Sequence, residues 1–373
     1  MYFYQTAIAG RTVRYSLRYP LTSLYFGGEP VSFSDDTEAE KGCVSVTEKA
    51  FEEERKAFPR QAAPEHVEFK ALIPATSLEL LRRGSLSVFH VAAVEAEGRA
   101  WLIAAPSGGG KTTQLLNWLA SGDLPEPRVI SGDMPVLELA EDGTVTVHPS
   151  PWNGKEGLGG APAAPLGGIV FLEKAAAGEP DSIRMLTPAE RIEKCFGQFV
   201  CLPDTEDQIR GLAELADAVL GGYPVRLMRN GGGAGSTRLM VTALLRETGG
   251  ALPRISEETC SPAGDGCYSG GIPSGGEELF VRRGGVSLHR VCGEYLLFAG
   301  REARSVCPYL SVINEPGALL WNCLSRPCGA SVCAETLAGE YSGADIRLLR
   351  ENAADFIAVM SRRGYLKKAE KSL

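Results

Sequence analysis

Residues 104–113 read AAPSGGGKTT, and the fold turns on whether this stretch is a phosphate-binding loop. The motif G-x-x-x-x-G-K-[ST] finds Ala105 where its first glycine belongs, but Gly110, Lys111 and Thr112 stand in register. The tail of the motif carries most of the chemistry. Successive N–H groups of Ser107, Gly108, Gly109 and Gly110 can turn inward as an anion-binding nest. Lys111 is placed to reach β- and γ-phosphates as a point charge, and the Thr112 hydroxyl, with Thr113 beside it, to ligate magnesium. A helix starting at Thr112 adds the positive end of its dipole.

The flanks supply the strand and helix that such a loop needs. SVFHVAAVEAEGRAWLIAA (87–105) reads as two strands joined at Glu97-Gly98, and TTQLLNWLASG (112–122) as a helix with a glycine stop. Upstream, the alternation in RTVRYSLRY (11–19) predicts a β-rich opening section over residues 1–75. TSLELLRRG (76–84) predicts a helix capped by Thr76 or Ser77 and stopped at Gly84. Downstream, RVISGD (128–133) is a short strand ending in Asp133, and VLELAEDGTVTVH (136–148) a hairpin turned at Asp142-Gly143. PLGGIVFLEK (165–174) and YPVRLMR (223–229) are further strands, and the segments 188–200 and 207–222 are helical. Hairpins interrupt the βαβ alternation, so the class is α/β with a mixed, α+β-like sheet, not a doubly wound one.

A chain of 373 residues accommodates two domains of about 150 residues each. Gly-, Ser- and Pro-rich residues 256–277 read as a linker, which gives domains 1–255 and 278–373. A net charge of -8 argues against a nucleic-acid partner. No apolar run approaches the roughly 18 residues of a membrane span, and the N-terminus lacks an export signal, so a cytoplasmic protein is expected. The ten cysteines then read as buried or idle thiols. Cys323, Cys328 and Cys333 lack the two-residue spacing of a zinc knuckle, so a metal site built on them is the alternative reading.

Phosphoryl transfer needs a carboxylate, a positioned acceptor and positive charge over the transferred group. Asp133 stands where a magnesium or base carboxylate belongs, and His90 lies on the strand before the loop. The segment PSPWNGKEGLGG (149–160) carries Lys155 and Glu156 in a glycine-rich setting, expected to be mobile and able to close over the site.

The run FHVAAVEAEGRAWLIAAPSGGGKTTQLLNWL, followed by VISGDMPVLEL and PSPWNGKEG, resembles the catalytic domain of HPr kinase/phosphorylase and its related kinases over about residues 70–230. The resemblance implies a phosphoenolpyruvate-carboxykinase-like core with a P-loop, and ATP- and Mg²⁺-dependent phosphorylation of a serine hydroxyl on a protein or peptide. It assigns Ser107 to Thr113 to the nucleotide, His90 to an active-site histidine, and Asp133 to the catalytic aspartate. Where that family has an Asp-Asp pair, this chain has Gly132-Asp133, so either Asp133 serves as both base and metal partner or a second carboxylate such as Glu156 assists. Lys155 stands in for the positive charge of the family's arginine loop.

Residues 278–366 resemble a PqqD-like domain, a small winged-helix-like α+β module. The resemblance rests on ELFVRRGGVSLHRVCGEYLLFAG, INEPGALLWNCL and FIAVMSRRGYL, with Asn314, Glu315, Gly317, Ala318 and Trp321 at the characteristic positions. It implies capture of the leader of a ribosomally made precursor peptide by strand addition near 294–300, with Tyr295, Leu296, Leu297, Phe298, Phe356 and Met360 as groove candidates. Together the two resemblances imply a peptide kinase, with other maturation enzymes as further partners. A non-catalytic, nucleotide-gated peptide chaperone and a small-molecule kinase are the alternatives.

Overall fold

The computed structural model describes residues 1–21, 42–106, 108–154, 156–176, 178–246 and 277–369. Ser107, Lys155 and most of the linker, with Cys260 and Cys267, lie outside the described residues. The chain divides into two units: Met1–Leu202 with Glu214–Leu252, and Pro203–Ala213 with Pro253–Leu373.

The first unit opens with an antiparallel hairpin, β1 (Tyr2–Ile8) and β2 (Arg11–Leu17). Among the described residues after the hairpin, the opening section is mainly helical instead of β-rich: α1 spans Glu48–Arg55 and α2 spans Pro64–Arg83. Pro64 starts α2 because its missing N–H costs nothing in a first turn. Thr76 and Ser77 are therefore interior residues and not caps. Both are buried; Thr76 Oγ1 donates to the Tyr15 hydroxyl at 3.3 Å, and Ser77 Oγ bonds Ser87 Oγ at 2.9 Å. Buried Glu68 of α2 accepts the N–H groups of Arg18 and Tyr19 at 3.0 and 3.1 Å, tying the hairpin to the helix.

The main sheet contains β3 (Leu86–Val88), β4 (Ala92–Ala96), β5 (Arg99–Ala104), β6 (Arg128–Ser131), β7 (Val136–Leu139), β8 (Val145–His148), β9 (Ala164–Lys174), β10 (Ser182–Met185) and β11 (Val225–Asn230). One arm runs β6-β4-β5-β9. Beyond β9 the sheet forks: its first residues pair with β8, which leads to β7 and β3, and Ile169–Lys174 pair with β11, which leads to β10. Only β5, β9 and β11 pair parallel to one another, and every other pairing in this group is antiparallel, so the sheet is mixed. Glu97 and Gly98, at φ 54 and 78, turn the hairpin that feeds the glycine loop.

Helices α3 (Lys111–Leu119), α4 (Pro188–Phe196), α5 (Glu206–Gly222, from Glu214 in this unit) and α6 (Ala234–Leu245) complete the unit. Leu115 and Trp118 of α3 and Met240, Val241 and Leu244 of α6 share a core with Trp101, Val170 and Leu172 of the sheet. Gly167 makes room there, since a Cβ on it would sit 2.8 Å from the Trp101 ring. Burying one such indole removes roughly 200 Å² from water, about 5 kcal/mol as an upper bound. That core holds the roots of β5 and α3, and so fixes the loop between them.

The second unit pairs β12 (Phe280–Arg282) with β16 (Leu366–Lys368), and stacks β13 (Val286–Val291), β14 (Glu294–Ala299) and β15 (Leu310–Ile313) into an antiparallel sheet. Three helices follow: α7 (Glu315–Cys323), α8 (Ala330–Glu340) and α9 (Ile346–Arg362). Asn314 caps α7 by accepting the Gly317 N–H at 2.9 Å. Leu349, Ala353, Ile357 and Met360 form the buried face of α9, against Trp321 and Tyr365.

Candidate active site

The loop between β5 and α3 is built by its glycines. Gly108 and Gly110 hold left-handed φ of 73 and 99, and Gly110 caps α3. Gly109 is held by geometry of another kind: a Cβ there would lie 2.9 Å from both the Ala105 Cβ and the Pro106 carbonyl oxygen. Ala105 itself is buried in the sheet core and is not among the positive-φ residues, so the missing first glycine imposes no strain. The helix starts at Lys111, one residue before the expected Thr112, and the first-turn N–H groups add a partial positive charge at the loop.

Lys111, Thr112 and Thr113 thus occupy the first turn of α3. The Lys111 Nζ donates to Asp133 Oδ1 at 2.6 Å. His90 Nε2 lies 3.4 Å from the same oxygen, and Lys70 Nζ lies 4.0 Å from Oδ2. Burial alone would raise the Asp133 pKa, but the His90 hydrogen bond and the Lys111 charge outweigh it and hold the carboxyl well below the usual range. His90 sits in the bend between β3 and β4, fixed by its N–H to the Gln198 carbonyl at 2.8 Å. Lys70, from the middle of α2, is absent from the sequence reading. No motif surrounds it, and only the docking of α2 brings it to Asp133.

The segment 149–160 is pinned, and is not the free lid its composition suggests. Trp152 is buried, with its Nε1 donating to the Phe69 carbonyl at 3.1 Å. The Gly132 N–H donates to the Leu158 carbonyl at 2.8 Å, and Gly160 and Ala161 bond back to Ile130 and Val129 of β6. A Cβ on Gly132 would lie 2.8 Å from the Asn153 carbonyl oxygen and 3.0 Å from that of Leu158. An aspartate pair therefore does not fit this backbone. The tip projects: Gly154, Glu156 and Gly157 are exposed. The point where a Gly154 Cβ would stand is 3.7 Å from Asp133 Cγ and 3.7 Å from Glu156 Oε2, so two carboxylates flank one spot.

The three parallel strands finish together around the loop, the position where open α/β sheets bind ligands. A second glycine run, Gly231–Gly233, joins β11 to α6 and was not singled out by the motif. Buried Gln114 links the two turns: its Nε2 donates to Asn230 Oδ1 at 3.3 Å and its Oε1 accepts from Thr237 Oγ1 at 2.7 Å. Asn117 adds a bond to the Gly232 carbonyl at 3.3 Å. Beside the loop, Pro106, Gly108, Gly109, Leu172, Glu173 and Lys174 line a cavity at the end of β9.

Chemically, Lys70, Lys111, a helix N-terminus and a glycine turn favour an oxyanion, and the two carboxylates favour a hard cation. The cationic groups converge on Asp133, so the residues here could hold a phosphate oxyanion, with Asp133 the carboxylate available to a cation.

In the second unit, β14 is the central strand, paired on one side with β13 and on the other with β15. It has no free edge for strand addition. Leu296, Leu297 and Phe298 are fully buried and Met360 is 2 % exposed, so these four are core, while Tyr295 and Phe356 keep partial exposure. The edges of this sheet are β13 and β15, and exposed Val312 lies on β15. No helix among the described residues is long and apolar enough to cross a membrane. No protein-family model and no curated protein matches the chain.

Proposed function

We propose that the chain is an ATP-dependent kinase that phosphorylates a hydroxyl, serine being the favoured one, on a peptide captured by its second unit. The observation that carries this reading is the convergence of Lys111, His90 and Lys70 on Asp133 beside a glycine turn at a helix N-terminus. Lys111 and the turn's N–H groups bind and orient the phosphates. Mg²⁺, when bound, neutralises phosphate charge. Asp133, held ionised, orients the acceptor hydroxyl and accepts its proton late, as a weak base does in a loose phosphoryl-transfer transition state. Glu156, across Gly154, supplies the second carboxylate.

The peptide is recognised by the free edge of β15, where backbone groups give affinity and neighbouring side chains give register. Arg363, just past α9, donates to Ser311 Oγ of β15 at 2.8 Å, tying that edge strand to the end of the helix and leaving Val312 exposed on its other face. Linkage on one chain raises the local concentration of the captured peptide at the kinase site.

The test is incubation of the full chain with ATP, Mg²⁺ and candidate precursor peptides encoded beside its gene, read by intact mass. The reading expects a gain of one phosphate that depends on the leader and is lost in Asp133→Asn. A peptide that binds but never gains phosphate, with maturation unaffected by Asp133→Asn, would overturn it in favour of a non-catalytic chaperone.

A further inference from the structure

The three cysteines of the segment 323–333 come from three separate pieces of backbone. Cys323 ends α7, Cys333 lies in α8, and Cys328 sits between them in a turn bonded to β12. That turn is rigid: the Cys328 N–H donates to the Phe280 carbonyl at 3.0 Å, and the Phe280 N–H donates back at 2.9 Å. All three side chains nonetheless point at one another. Their sulfurs form a near-equilateral triangle, with Sγ–Sγ distances of 3.7 Å for 323–328, 3.7 Å for 328–333 and 4.0 Å for 323–333. Cys328 and Cys333 are buried and Cys323 is partly exposed.

A tetrahedral zinc ion with thiolates at about 2.3 Å sets each pair of sulfurs about 3.8 Å apart. The triangle has that edge length. An iron–sulfur cluster distributes its cysteines over different iron atoms, farther apart than donors sharing one ion, so the geometry suits a single metal. We infer that Cys323, Cys328 and Cys333 form a mononuclear three-thiolate site for a thiophilic divalent ion of the zinc type. Its fourth position opens on the Cys323 side, to a water.

Local chemistry supports the site. Binding a divalent ion here needs the thiols as thiolates and so releases protons. Thr336 Oγ1, 3.5 Å from Cys323 Sγ, stands beside the open side, and donates to the Val332 carbonyl at 3.0 Å. The ion would tie the end of α7, the turn at β12 and the start of α8. Four-residue spacings hide this from a knuckle pattern, because the triangle closes through a turn and a helix, not one hairpin.

The experiment uses the full chain, purified reduced from zinc-supplemented medium without a metal-binding tag. Metal content should be about one zinc per chain, and Co²⁺ exchange should give the visible and thiolate charge-transfer bands of a tetrahedral sulfur site. Cys323→Ser, the mildest change because that residue is partly exposed, should lose at least tenfold in zinc affinity while keeping the far-UV circular dichroism. Cys260→Ser with Cys267→Ser should keep the metal. A mercurial titration of the unmutated chain, which needs no variant to fold, should release the zinc as three thiols react. The inference is overturned by a reduced chain that takes up no zinc, by zinc that survives in Cys323→Ser and Cys328→Ser, or by zinc that leaves with Cys260 and Cys267.

Discussion

Substituting Gly132 tests why this chain carries one aspartate where a pair is expected. Its φ is not left-handed, so any cost is steric, and it can be worked from two distances. A Cβ would press 2.8 Å from the Asn153 carbonyl oxygen and 3.0 Å from that of Leu158. Both are backbone atoms, so the segment around residues 153–158 must move as a piece, straining the 2.8 Å bond from the Gly132 N–H to Leu158. Overpacking of this kind costs about 1–3 kcal/mol for Gly132→Ala. Gly132→Asp costs more, because its carboxylate would face two carbonyl oxygens. Hydrogen exchange by mass spectrometry reads the effect directly. Amides of 128–161 should exchange roughly five- to 150-fold faster in Gly132→Ala, the equivalent of that energy, while peptides of α2 keep their protection. Peptide phosphorylation should fall with the displaced Glu156. If Gly132→Asp keeps wild-type protection and raises activity, the steric account is wrong and the second aspartate was merely absent.

Other expectations follow from the same site and its frame. Asp133→Asn should lower phosphoryl transfer by about 10²–10⁴-fold, measured by initial rates with saturating peptide. Because the folded-state pKa of Asp133 is depressed below its ordinary 3.8, its stabilisation is fully present above that value and is lost as pH falls below it. The thermal midpoint of the first unit should therefore drop more steeply below about pH 4 in the wild type than in Asp133→Asn. Lys70→Ala should weaken ATP binding by roughly threefold to tenfold, a smaller effect than Lys111→Ala, since Lys70 stands farther from the carboxylate; a nucleotide-binding titration decides it. Thr187→Ala removes the capping box with Glu190 at the start of α4 and should cost about 1 kcal/mol in chemical denaturation. Val312→Glu on the β15 edge should weaken leader-peptide binding about tenfold by fluorescence anisotropy, whereas Leu297→Ala should act on stability first, by about 2–5 kcal/mol.

Local chemistry was legible in the sequence wherever a few adjacent residues decide the backbone. The glycines at 108–110, the Glu97-Gly98 turn and the Gly110-Lys111-Thr112 register act through φ angles and hydrogen bonds within a few residues. The mixed sheet was likewise readable, because strand runs and hairpin turns alternate along the chain. What escaped depends on atoms far apart in sequence. Thr76 and Ser77 look like caps until Tyr15 and Ser87 claim their hydroxyls. Lys70 has no signature until α2 docks, and the glycine-rich 149–160 segment looks mobile until β6 binds it. The phrase EYLLFAG reads as a binding edge, yet strands on both sides make β14 the centre of its sheet. Three evenly spaced cysteines look idle until a helix end, a turn and a second helix aim their sulfurs at one point. Short-range sterics wrote the loop into the sequence, whereas charge convergence and strand order exist only once distant segments pack.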